Sequence, residues 1–325
     1  MRLPPRVVPL ALIAALGLLP VLAAVAHQPF WVTVATRIVI LSTAAVSLDL
    51  VLGYAGLASF GHAAFFGLGG FTVGILSVYA EAAPHDSWLY LVGREASLTG
   101  LAAIAAASVF GALTGALALR TRGFHFVMIT LAFSQMLYFL FISLPNYGGD
   151  EGLRMANRQL LLGFDLSSPT AFYYVCFAVL CATVAGMRAL VVSRFGRALL
   201  GCKQNERRMQ FLGVRTGRYL LAAFIISAAG TGLAGALMAN HGRFVGPHML
   251  SWFQSGELML MLILGGTGSV YGGIAGAAIF VLLQEAMVDF TQYWEILLGA
   301  ALLAIVLASP GGVLRLVGAI GPRND

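Results

Sequence analysis

Residues 53–70 read Gly53-Tyr-Ala-Gly-Leu-Ala-Ser-Phe-Gly-His-Ala-Ala-Phe-Phe-Gly-Leu-Gly-Gly70, with glycine at 53, 56, 61, 67, 69 and 70 and polar side chains at Tyr54, Ser59 and His62. Each glycine costs a helix about 1 kcal/mol against alanine, so the stretch is not expected to stay one continuous helix. In lipid a broken backbone survives only where it is buried in protein or lines a cavity. Discontinuous helices of this kind hold solute sites, because half-helix ends offer free N–H and C=O groups. Tyr54, Gly56, Ser59, Phe60, Gly61, His62, Phe65 and Gly67 are therefore the candidate solute path. The competing reading is close helix packing through small residues.

The rest of the chain places that stretch in a membrane. Of 325 residues 59% are hydrophobic and only 10% charged, against about 25% charged in a soluble domain. The expected fold is all-α, a polytopic helical membrane protein forming one transmembrane domain over 1–325. A helix crosses about 30 Å of hydrocarbon in ~20 residues. Candidate spans run Val7 to Ala26, Trp31 to Leu52, Gly53 to Tyr79, Leu98 to Leu119, Gly123 to Ser143, Ala171 to Val192, Tyr219 to Ala239, Gly256 to Gly266, Gly273 to Val288 and Glu295 to Ser309. That makes about ten. The eighth is too short to cross unaided, unless it begins near Met249 or is a half-helix packed inside protein. The first ends in the A-x-A pattern Ala24-Val25-Ala26, but its length exceeds the apolar core of a signal peptide, so retention is expected.

Basic residues orient the chain. With the N-terminus inside, the inner loops hold Arg2, Arg6, Arg120, Arg122, Arg194, Arg197, Lys203, Arg207, Arg208, Arg215, Arg218, Arg315 and Arg323, and the outer loops hold Arg94, Arg154, Arg158 and Arg243. Both termini are thus expected in the cytoplasm. The net charge of +6 follows from this topology and not from nucleic acid, since no groove-reading motif accompanies it. Cys176, Cys181 and Cys202 show no metal or disulfide spacing and read as buried thiols.

Three further features carry information. Gly265-Gly-Thr-Gly-Ser-Val-Tyr-Gly-Gly-Ile-Ala-Gly276 reads first as a helix contact and only weakly as a parallel repeat of the first stretch. The cytoplasmic loop 193–218 offers one helix from Arg194 and a second over Asn205 to Gly213, closed by a glycine C-cap. Met209, Phe211 and Leu212 on that second helix would face water, which points to a partner protein. Among charges near the spans, Arg188 can snorkel, Asp49 suits pairing as well as function, and Arg37 and Glu285 lie deeper. No P-loop is possible around Lys203, the single lysine, and neither HExxH nor GxSxG occurs, so an enzyme is not expected.

These residues together resemble the membrane permease subunits of branched-chain amino acid ABC importers, over most of the chain after Ile38. The resemblance is carried by Gly53 to Gly69, Arg120-Thr-Arg-Gly-Phe-His-Phe126 with Ile129-Thr-Leu-Ala-Phe133, Tyr147-Gly-Gly-Asp-Glu-Gly152, Ser193-Arg-Phe-Gly-Arg-Ala-Leu199 with Asn205-Glu206 and Leu212-Gly213, and Gly265 to Gly272. It implies a bacterial inner-membrane subunit that pairs with a second homologous permease, two cytoplasmic ATPase subunits and a periplasmic solute-binding protein. No cofactor would be bound by this chain, ATP and Mg being used by the partners. Leucine, isoleucine and valine are the implied solutes, with urea or short amides as rivals and a stand-alone secondary carrier as the alternative of another class. The resemblance also makes 193–218 the coupling loop, with Arg197, Asn205, Glu206, Arg208, Met209, Leu212 and Gly213 at the ATPase. Arg208 and Met209 stand where the family has an alanine pair, which implies a cognate ATPase with a matching acidic groove.

Overall fold

The computed structural model describes residues 13–20, 29–84, 87–161, 163–288, 293–308 and 311–313. Its elements are helices α1 (Pro29–Asp49), α2 (His62–Ala82), α3 (Trp88–Arg94), α4 (Ala96–Ala118), α5 (Phe124–Ile142), α6 (Pro169–Val192), α7 (Arg194–Phe211), α8 (Thr216–Gly242), α9 (Trp252–Gly265), α10 (Gly272–Val288) and α11 (Trp294–Ala308). The only strands among the described residues are two-residue pairs. Leu153–Arg154 lies against Phe244–Val245, and Leu160–Leu161 lies against Phe164–Asp165.

Among the described residues, six helical stretches are long and apolar enough to cross a membrane: Phe30–Tyr54, His62–Ala82, Ala96–Ala118, Phe124–Ile142, Pro169–Val192 and Thr216–Gly242. The protein is therefore an all-α membrane protein. The span expected over Val7–Ala26 lies outside the described residues except for a helical segment at 13–20. That segment rests on α6, where the buried Leu16 carbonyl accepts a hydrogen bond from the Tyr173 hydroxyl.

The bundle closes around α1, α2 and α8. Residues 38–51 of α1 and its continuation are buried almost without interruption, which in a lipid-solvated protein means helices on every side. Small residues let the neighbours approach this closely. A Cβ at Gly69 of α2 would overlap the Gly232 carbonyl of α8, and one at Gly276 of α10 would overlap the Met261 carbonyl of α9. Serine and threonine hydroxyls inside α1 bond their own helix, as Ser42 to Ile38 O at 2.6 Å and Ser47 to Thr43 O at 2.8 Å, so buried polar groups remain satisfied.

Two expected spans are corrected. The one drawn from Gly53 to Tyr79 begins only at His62, because Leu50–Tyr54 prolongs α1 as a π-helical turn. The short eighth span is the half-helix α9, whose 14 residues reach about 21 Å at 1.5 Å per residue. Ahead of it, Val245 and Met249 lie on Gly74 and Gly70, and Leu250 O accepts from Ser134 Oγ of α5 at 3.0 Å. The chain thus re-enters the bundle from the far end of α8 as extended and 3-10 backbone, a form tolerated at membrane depth only inside protein.

Candidate functional site

The break between α1 and α2 occupies residues 55–61, and several of its backbone groups find partners within the fold. Ala55 N and Leu57 N bond Leu50 O and Val51 O at 3.1 and 2.9 Å. Phe60 O accepts from Ser255 Oγ at 2.7 Å, and the same hydroxyl accepts from Ala63 N at 2.8 Å. One serine on the half-helix α9 therefore ties the end of the gap to the first turn of α2. His62, fully buried, bridges Ser59 Oγ at 3.2 Å and Ser227 Oγ at 2.9 Å. Ser227 passes the chain on to Ser47 O of α1 at 2.6 Å. Phe65 and Phe224 stand edge-on to the imidazole, with ring centroids at 5.3 and 5.7 Å.

Of the eight candidate path residues, only Gly56 is exposed; Phe60 is half-buried and Tyr54, Ser59, Gly61, His62, Phe65 and Gly67 are buried. The broken segment is shorter than the glycine run. Gly67 and Gly69 lie in unbroken helix, where they admit Leu250 and the Gly232 carbonyl. The run thus breaks at 55–61 and packs closely beyond it.

The two glycine-rich stretches meet. Gly268, at φ +78°, lies in the turn between α9 and α10, and its N–H donates to Asp49 Oδ1 at 2.8 Å. Gly53 itself packs against the Gly268 backbone. The second stretch is therefore more than the expected helix contact. Gly272 and Gly276 make that contact, while Gly266 and Gly268 turn the chain against the end of α1. Lys203 of α7 arrives at this point, with Nζ donating to Gly53 O at 2.5 Å and its stem against Gly56, whose φ is +73°.

Helix α7 is two helices. Asn205 is extended (φ −157°, ψ 97°), and its Oδ1 accepts from Arg208 N at 3.0 Å, the geometry of an N-cap. At the other end Val214 N bonds Met209 O at 3.1 Å and Gly213 N bonds Gln210 O at 2.9 Å, with Gly213 at φ +80°. That is a Schellman closure, as its glycine led one to expect. Phe211 and Leu212 at the tip are 91% and 71% exposed, and Arg197 and Arg208 are exposed too.

One expectation for this loop is corrected. Met209 is half-buried where it was expected to face water, its thioether lying against Gly201 of the first half and its side chain packing on the buried core. Glu206 is held within the chain. It pairs with Arg122 of the loop before α5 and accepts from Thr216 Oγ1 at 2.8 Å and Gln210 Nε2 at 3.3 Å. Its carboxylate fixes the short helix to the bundle. No pattern in sequence distance announces a partner at Arg122; only the fold brings the two loops together. Cys202, on the first half, is buried, and that burial holds its thiol above the ordinary range despite Arg122 nearby.

A multi-pass membrane protein with a broken, internally satisfied helix and an exposed apolar helix tip is a permease in class. The match to known proteins is specific. The chain belongs to the family described as branched-chain amino acid transport system permease component, whose model matches residues 30–306. It is 27% identical to the high-affinity branched-chain amino acid transport system permease protein LivM of Salmonella typhimurium, over 87% of this chain and 69% of that one. It is 25% identical to the LivH protein of the same system in Escherichia coli, over 83% of this chain and 89% of that one. No solved structure matches the chain. It is thus a transport permease subunit of the inner membrane and, like these relatives, not an enzyme.

Proposed function

We propose that the chain is one of two related membrane subunits of an ATP-binding-cassette importer that moves leucine, isoleucine and valine into the cell. Two cytoplasmic ATPases, binding ATP and Mg themselves, dock on residues 193–218, and a periplasmic binding protein delivers the solute. Residues 1–325 act as a single permease domain of ten crossings, the eighth made jointly by the re-entrant 244–250 segment and α9. The similarity to both LivM and LivH favours this solute and a paired permease.

The observation that carries the reading is the continuity from the exposed tip Phe211 and Leu212, through the Asn205 kink, to Lys203 and the Gly53 carbonyl. A nucleotide shifts a conformational equilibrium only through contacts that differ between its states. An ATPase that moves the tip moves a lysine bonded to the end of the broken helix. Phe211→Asp should leave membrane insertion intact while removing the ATPases from a mild-detergent pull-down and abolishing ATP-driven leucine uptake. Leucine flux through the purified chain alone in proteoliposomes would instead establish a secondary carrier.

A further inference from the structure

The arginine distribution leaves four cations on the outer side, and they are not scattered. Arg94 and Arg158 line one cleft of about 660 Å³, and Arg154 and Arg243 line a shallower one formed by the paired strands Leu153–Arg154 and Phe244–Val245. The larger cleft lies between α2, α3 and the Leu160–Asp165 hairpin and is within the range of small-molecule sites, roughly 300–1,000 Å³.

Its wall is rigidly built. Gln159, 2% exposed, donates to Gly93 O at 2.7 Å and accepts from Thr99 Oγ1 at 2.8 Å and Asn240 Nδ2 at 3.0 Å. This ties the loop to α3, α4 and α8. The adjacent Arg158 is held over the Phe172 ring, 4.9 Å from its centroid. Its terminal nitrogens reach only the carbonyls of Leu166, Ser167 and His241, at 3.4 to 3.5 Å, and its buried Nε has no partner. Among the described residues no carboxylate pairs with it. Burial and the nearby Arg243 both disfavour its charge, so the guanidinium would gain from an anion. Glu81 and Asp165 also line the cleft. Hydrogen bonds from the Ser167 hydroxyl and N–H, with Arg94 nearby, hold the Asp165 carboxyl below its usual range and keep it anionic. Ala80 and Leu160 add apolar surface to the lining.

We propose that this cleft is an outer-face subsite for a free zwitterionic amino acid, with the α-carboxylate on Arg158 and the α-ammonium toward Glu81 and Asp165. The assignment rests on the amino-acid reading of the solute given above. Charges of both signs lining one cleft suit a zwitterion, and a ligand without its carboxylate leaves the partly buried Arg158 guanidinium unpaired, while one without its ammonium loses the attraction of Glu81 and Asp165.

The test uses the assembled permease complex in nanodiscs, carrying Asn157→Cys at the exposed rim. Labelling by a membrane-impermeant maleimide is read at position 157 by peptide mass spectrometry. Leucine is expected to slow labelling, and leucinamide and 4-methylpentanoate, each lacking one charge, are not. Arg158→Gln should raise the half-protecting leucine concentration roughly tenfold to a hundredfold, the range for a lost charged hydrogen bond, while Arg154→Gln leaves it unchanged. If Arg158→Gln does not assemble, the comparison of leucine with leucinamide still decides. Equal protection by leucinamide overturns the proposal, as does protection seen only when the binding protein is docked, which would give the carboxylate to that protein. Absence of protection in a complex that imports leucine overturns the subsite and leaves the transport reading standing. Protection and uptake of urea in place of leucine would overturn both.

Discussion

Replacing Lys203 with methionine keeps the length and much of the stem that packs on Gly56 but removes the cation that Gly53 O accepts from at 2.5 Å. Gly53 is buried, so water does not replace the lost donor freely. A hydrogen bond from a charged group contributes about 1.5–3 kcal/mol, and leaving its acceptor unsatisfied costs a similar amount. If the bond belongs to one conformational state, its removal shifts the equilibrium between states by roughly 10- to 150-fold. In proteoliposomes holding the full complex, Lys203→Met should cut ATP-driven leucine uptake about tenfold or more. The ATPases should stay bound and still hydrolyse ATP, because Phe211 and Leu212 are untouched. Lys203→Arg should recover part of the uptake, its guanidinium reaching the same carbonyl. Uptake within twofold of the parent protein, with the ATPases docked, would refute a mechanical role for this contact and leave Lys203 as a topology-setting charge.

Glu206→Ala should reduce uptake by freeing the short helix from Arg122 and Thr216, with little loss of thermal stability, since the Arg122 side of the pair is largely exposed and such pairs contribute ~0–1 kcal/mol. Arg122→Ala should have the same phenotype, and the double variant should add nothing to it; full additivity in uptake would mean the two residues act separately. Gly69→Ala should destabilise the bundle by about 1–3 kcal/mol or more, because its methyl overlaps the Gly232 carbonyl, whereas Gly186→Ala, which meets nothing, should stabilise it by up to about 1 kcal/mol in thermal unfolding in detergent. Cys202 should resist maleimide at neutral pH in the folded complex, its thiol being buried and held in the protonated form; rapid labelling would show that the first half of α7 unpacks.

Composition and glycine spacing made the membrane environment, the broken helix and the two-part cytoplasmic helix legible, because each depends on local backbone cost. Asn205 and Gly213 could be read as a cap and a closure for the same reason: both motifs are complete within a few residues. What the sequence concealed depends on contacts between distant segments. Nothing near Glu206 in the sequence announces the pairing with Arg122, 84 residues away. Met209 looks like an exposed apolar group until the Asn205 kink folds it back on Gly201. The re-entrant stretch 244–250 cannot be found by hydropathy, since it is a short strand and a 3-10 turn packed against α2 and α5.

The meeting of the two glycine-rich stretches has a mechanical meaning that a repeat would not have. Related halves of a symmetric transporter would place such segments about an axis, whereas here they touch: Gly268 donates to Asp49 Oδ1, and Asp49 Oδ2, also buried, has no hydrogen-bond partner. A carboxylate with one oxygen bonded and the other empty can change partners at little cost to the bond it keeps. Lys203, already against Gly53 and Gly56 a turn away, is a cation near enough to meet that need. Movement of the docking helix would then exchange a lysine–carbonyl bond for a lysine–carboxylate bond, and the end of α1 and the α9–α10 turn would be drawn together or released as one unit. Asp49→Asn, which supplies an oxygen to Gly268 but no charge to Lys203, separates these roles: the fold should persist while uptake falls as it does in Lys203→Met, and unchanged uptake would confine Asp49 to holding the turn.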